Sequence, residues 1–184
     1  MKALVATLST FLLIHLSMPA SAQEISIVLT SNSATFNDDG STDADARYTG
    51  LEVSYPFGEA LSAFASTASG TLTFRSGAKL DLSVNQIGAG YAFDLYRQSG
   101  LKVNGQLSFF GEFGEAVSGS YRGDLSGYGG ALSISGKFQR SDSLTLIGGI
   151  SFENSNGSND ISAGSLIDYG LSGTQLSFGA QISL

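Results

Sequence analysis

Along most of the chain apolar side chains recur at every second position, and the residues between them are small and seldom charged. Successive side chains of an extended strand point to opposite faces, so each such stretch is a β-strand with one apolar face. Leu51, Val53, Tyr55 and Phe57 share a phase, as do Leu101, Val103, Leu107, Phe109 and Phe113. Tyr128, Leu132, Ile134 and Phe138 repeat it, then Leu144, Leu146, Ile150 and Phe152. No helical periodicity of useful length competes with the pattern, and no solenoid-type repeat overlies it.

Eight strands are predicted, at 24–36, 47–57, 62–75, 79–96, 101–114, 125–139, 144–154 and 174–184. In the fourth, the apolar phase passes from Leu80, Leu82 and Val84 to Ile87, Ala89, Tyr91, Phe93 and Leu95, which predicts a β-bulge near Asn85 and Gln86. Tight turns fall at 58–61, 97–100 and 140–143, and longer polar connections at 37–46, 115–124 and 154–173, with the short link 76–78 as an exception. An even set of antiparallel strands, with short turns at one end and long loops at the other, is the plan of an up-and-down transmembrane β-barrel. The predicted fold class is therefore all-β, an eight-stranded antiparallel barrel.

Which face meets water decides between this and a soluble barrel. A soluble barrel points its apolar phase inward and covers its outer face with charge; here only 14% of residues are charged. Glu52, Arg75, Asp81, Asp94, Lys102, Glu112, Lys137 and Glu153 all lie opposite their local apolar phase. With the apolar phase in lipid, these charges face the lumen, where five acids and three bases are expected to form a network. A charge on the lipid face at mid-bilayer would cost about 2–4 kcal/mol.

The N-terminus carries Lys2, an apolar run from Ala3 to Met18 and the small-residue tripeptide Ala20-Ser21-Ala22. This is the pattern of a secretory signal peptide, predicted over 1–22, leaving 23–184 as one domain. The run is shorter than the ~20 apolar residues of a spanning helix. With no cysteine, the exported domain must hold together by burial and hydrogen bonding alone.

Several function classes drop out. A net charge of −7 with nine Lys and Arg leaves no basic surface for nucleic acid. The single histidine, His15, lies in the predicted signal peptide. Imidazole and thiol are thus missing from the mature chain, and with them His-assisted nucleophilic catalysis and imidazole-built zinc sites. No enzyme activity, metal or cofactor is expected. The segment 37–45 sets four aspartates around Gly40. It lacks the spacing and terminal Glu of an EF-hand, and reads as a solvated acidic loop that divalent cations bridge loosely to anionic lipopolysaccharide.

Near the chain end, Ser177, Gly179, Ile182 and Leu184 resemble the assembly signal of outer-membrane barrel proteins, in which the last position is usually aromatic. With the signal peptide and eight strands, the whole mature chain resembles the small eight-stranded barrels of the OmpA membrane domain, OmpX and opacity type. That resemblance implies insertion by the outer-membrane assembly machinery and residence among the lipids and lipopolysaccharide of a Gram-negative outer membrane. It also implies termini in the periplasm and long loops outside. Two roles stay open: a structural or surface-interaction barrel with a packed lumen, or a narrow channel or transporter for small solutes, apolar ones included. For the second, the glycines at 105, 111, 127, 129, 130, 148 and 149 would provide room.

Overall fold

The computed structural model describes residues 24–38, 42–58, 60–119, 121–161 and 165–183; the predicted signal peptide, the tip of the acidic loop and Leu184 lie outside the described residues. Eight strands run in chain order: β1 Glu24–Asp38, β2 Thr42–Phe57, β3 Leu61–Phe74, β4 Lys79–Gln98, β5 Leu101–Ser118, β6 Tyr121–Gln139, β7 Leu144–Ile161 and β8 Ser165–Ser183. Each pairs antiparallel with its neighbours, and β8 pairs with β1 to close the barrel. Closure leaves no sheet edge unpaired, the condition for exposing strands to hydrocarbon.

The register fixes the slant. A rung followed from Gly127 through Glu112, Gln86, Ser66, Glu52, Val28, Gly179 and Ile147 returns to β6 at Lys137, ten residues along. Eight strands with that stagger tilt by about 40°. An 18-residue strand such as β5 then rises about 45 Å along the barrel axis, well beyond the ~25 Å apolar band of such barrels.

The surplus length forms a second tier of opposite polarity. Towards the termini the outward side chains are apolar: Leu29, Leu51, Ile87, Phe109, Leu132, Phe152, Leu176 and Phe178. Farther along the same strands the outward positions are polar, as in Ser31, Ser33 and Thr35 on β1 and Asp45, Arg47 and Thr49 on β2. The inward positions invert in step. In the lower tier they include Ser26, Thr30, Gln86, Ser108 and Gln181, whereas the upper tier encloses Phe36, Ala46, Leu72, Leu82, Val84, Leu125 and Leu171. The lower tier has the outside of a membrane barrel and the upper tier the inside of a soluble one.

This inversion corrects two expectations. β4 carries no bulge at Asn85 and Gln86: its pairing runs unbroken there with both neighbours, and the register shift lies between Asp94 and Tyr96. Leu82 and Val84 point inward and Ile87 and Tyr91 outward, so the apolar set changes from the inner to the outer face along an unbroken strand. Likewise, the polar segments at 37–46, 115–124 and 154–173 are mostly strand, paired as far as Asp38–Thr42, Ser118–Tyr121 and Ile161–Ser165.

Local chemistry sets the turns. Ser99 and Gly100, with φ of 35° and 85°, make the two-residue left-handed turn that matches strand twist. At the other end, Gly77 at φ 83° donates to the Phe74 carbonyl at 2.9 Å and Phe74 donates to Ala78. This is a three-residue hairpin closed by a glycine bulge.

Candidate functional site

The lower-tier lumen is built around Glu112 on β5, which is 3% exposed. Its carboxylate accepts hydrogen bonds from Gln86 Nε2 (3.1 Å), Ser155 Oγ (3.3 Å) and Tyr169 Oη (2.9 Å). Gln86 in turn accepts from Ser66 at 3.3 Å. Ser151 donates to Glu153 and to Gln175 Oε1 at 3.2 Å. Among the described residues no basic side chain pairs with Glu52, Glu112 or Glu153. Hydroxyls and an amide supply hydrogen bonds to Glu112, and a hydroxyl supplies one to Glu153, as enclosed carboxyls require.

The bases sit lower, towards the termini. Lys102 and Lys137 are direct partners on β5 and β6. Lys102 pairs with Asp94 at 2.7 Å, and Asp94 also binds Arg97 at 2.8 Å. Lys137 donates to Gln181 at 2.9 Å, which donates onward to Glu24. The eight charges predicted to share one lumen network are therefore dispersed. Glu52, Glu112 and Glu153 share the lumen, and Asp94, Lys102 and Lys137 gather at its lower mouth. Asp81 and Arg75 are exposed at the upper end. Both lie opposite an apolar phase, but above the polarity boundary that phase faces inward, so its complement meets water.

Aromatic rings fill much of the remaining lumen. Phe64 and Phe110 meet edge to face with centroids 6.4 Å apart, and Phe36 stacks on Tyr169 at 5.3 Å. Glycines make the space: a Cβ at Gly129 would fall 2.7 Å from the Phe110 ring, and one at Gly88 would fall 2.7 Å from Phe64. Sequence patterning could not assign these rings: Phe110 stands opposite the apolar phase of Leu107 and Phe109, and Tyr169 lies in a segment expected to be a connection. An enclosed void between the tiers, lined by Asn32, Tyr48, Glu153 and Ser155 among others, measures about 10 Å³, room for one water at most.

Of the C-terminal residues singled out in sequence, Ser177, Gly179 and Ile182 pair with Thr30, Val28 and Ile25 of β1. They sit on the seam that closes the barrel.

No known family profile matches this sequence, and no curated protein matches it. Solved structures do. Neisserial surface protein A superposes with a TM-score of 0.54 at 11% identity, covering 84% of this chain and 96% of that one. The outer membrane protein AlkL, solved in lipid bilayers, gives 0.49 at 10% identity, covering 91% and 94%. Ail of Yersinia pestis gives 0.43 at 14%, covering 87% and 99%. At such identities the likeness is one of fold: this chain has the fold of the small eight-stranded outer-membrane β-barrels.

Proposed function

We propose that this chain is an outer-membrane β-barrel with a structural or surface-interaction role and no catalytic one. Its lower tier spans the lipid, its termini face the periplasm and its upper tier stands beyond the outer leaflet. The observation that carries this reading is the inversion of polarity along the strands. Phe109 and Tyr128 are each 73% exposed, and Leu29, Phe152, Leu176 and Phe178 stand out around the same band. In water such a belt would far exceed the few hundred Å² of apolar patch that monomers tolerate; in acyl chains it is the matching surface. Above it, polar outward residues and an apolar interior are what an aqueous medium favours.

The lumen chemistry supports a packed interior over a conducting one. Buried carboxyls are tied by hydroxyls and amides, and rings occupy the space that glycines leave. The β8–β1 seam bearing Ser177, Gly179 and Ile182 supports delivery by the outer-membrane assembly machinery after export.

Planar-bilayer recording of the refolded mature protein, alongside its heat-dependent gel mobility, tests the reading. A folded, heat-shifted protein that leaves the bilayer silent is the expected result. Discrete, reproducible openings would overturn the packed-lumen role. A mature chain that stays monodisperse in buffer without amphiphile would overturn the membrane reading itself.

A further inference from the structure

Just above the apolar band, β8, β1, β2 and β3 form a shallow recess of about 420 Å³ on the outer wall. Arg47 lies in it, exposed and without an ion-pair or hydrogen-bond partner among the described residues. Its neighbours across the ladders are Ser33 and Thr71, and the recess is lined further by Ser31, Thr49, Ser69 and Thr174. Leu176 belongs to the same lining, while Leu29 and Leu51 continue the apolar face below. Three other bases near the rims are neutralised by carboxylates: Arg122 binds Glu115 at 2.6 Å, and Arg97 and Lys102 share Asp94. Lys79 and Arg140 have no such partner among the described residues, but they stand at hairpin turns and outside this recess.

We propose that this recess takes the phosphate of an outer-leaflet lipid headgroup, with Arg47 as its charged anchor; the inference rests on the membrane placement proposed above and names one partner of that surface. A guanidinium offers a planar fork of N–H donors that matches a phosphate. The surrounding hydroxyls add donors that a carboxylate-lined patch would lack. The floor passes directly into side chains suited to acyl chains, so an amphiphile seated there satisfies both halves at once. Charge complementarity selects this recess over the larger hollow of about 900 Å³ beside Gly111 and Tyr128, whose rim bears Asp168 and no base.

The test is native mass spectrometry of the folded mature protein in neutral detergent, titrated with dihexanoyl phosphatidic acid, with dihexanoylglycerol and with inorganic phosphate. Arg47→Gln, Arg47→Lys and Arg122→Gln are compared after heat-shift assays confirm folding. The expected result is saturable phosphatidic acid binding, weakened about tenfold or more in Arg47→Gln, in line with a charge-assisted hydrogen bond. Arg47→Lys falls between, since it keeps charge and loses the fork, and Arg122→Gln matches the wild type. Equal binding by wild type and Arg47→Gln, tight binding of the uncharged diacylglycerol, or displacement by equimolar inorganic phosphate would each overturn the lipid-headgroup assignment. Failure of the membrane reading shows separately, as solubility without detergent.

Discussion

The Tyr169 hydroxyl on β8 donates a 2.9 Å hydrogen bond to the Glu112 carboxylate on β5, across two strands whose residues on the same rung are both glycine. Gly127 and Gly157 leave a bare backbone track along which the phenol lies: a Cβ at the first would fall 2.9 Å from the Tyr169 hydroxyl, and one at the second 2.8 Å from its ring. Phe36, within the apolar interior, stacks on the same ring. Tyr169 thus ties the apolar upper interior to the polar lower one.

Removing only the hydroxyl isolates the lower half of that tie. Tyr169→Phe keeps the stack and deprives Glu112 of one donor, so unfolding free energy, measured by urea titration in lipid vesicles, should fall by about 1.5–3 kcal/mol. An unchanged midpoint would mean that water replaces the phenol at no cost.

The two glycine environments should respond oppositely to one methyl group. Gly157→Ala places a Cβ 2.2 Å from the Ser126 carbonyl and against Tyr169, whereas at Gly111 nothing lies nearer than the Ile87 carbonyl at 4.0 Å. The folded, heat-shiftable fraction should drop sharply for Gly157→Ala and stay at the wild-type level for Gly111→Ala.

These positions also mark how far the sequence could be read. Alternation was legible wherever the outer face is apolar, as in Leu101 to Phe113, because large apolar and small polar side chains differ strongly there. It faded in the upper tier, where Ala34, Ala44 and Ala46 face Ser and Thr across the wall, and strand was mistaken for loop. On β4 the phase change at Asn85 was visible, but period two alone cannot tell a bulge from a change of surroundings; only the unbroken register of Thr67 with Asn85 and Ser66 with Gln86 separates them. Glycines 127 and 129 read as empty room because the rings that occupy it come from other strands, Tyr169 of β8 and Phe110 of β5, the direct cross-strand partner of Gly129.

Depth along the barrel should set the cost of charge. Ile134→Lys, on the outward face within the apolar band, should lose about 2–4 kcal/mol in vesicles. Ser172→Lys, outward on β8 in the upper tier, should stay within about 0.5 kcal/mol of the wild type. Equal losses at both positions would abolish the distinction between tiers.

The inversion on β4 can be read in living cells, since the chain has no cysteine of its own. A membrane-impermeant maleimide should label Asp81→Cys rapidly. It should spare Leu82→Cys, which is buried, and Ile87→Cys, which is exposed on the outer face within the band proposed to lie in lipid. Labelling of Leu82→Cys at the rate of Asp81→Cys would mean that the upper interior is wet.

If rings rather than narrowness keep the lumen closed, removing them should open it. Phe64 and Phe110 project towards each other from β3 and β5, and Gly88 and Gly129 behind them offer no side chain to take their place. The Phe64→Ala/Phe110→Ala double variant should therefore show small, brief conductance steps in a planar bilayer where the wild type is silent. Each truncation also removes roughly 3–5 kcal/mol of packing, so the single variants should be less stable yet still closed, each retaining one of the two rings. A double variant that folds, shifts on heating and stays silent would assign closure to the hydrogen-bonded carboxyls around Glu112 instead.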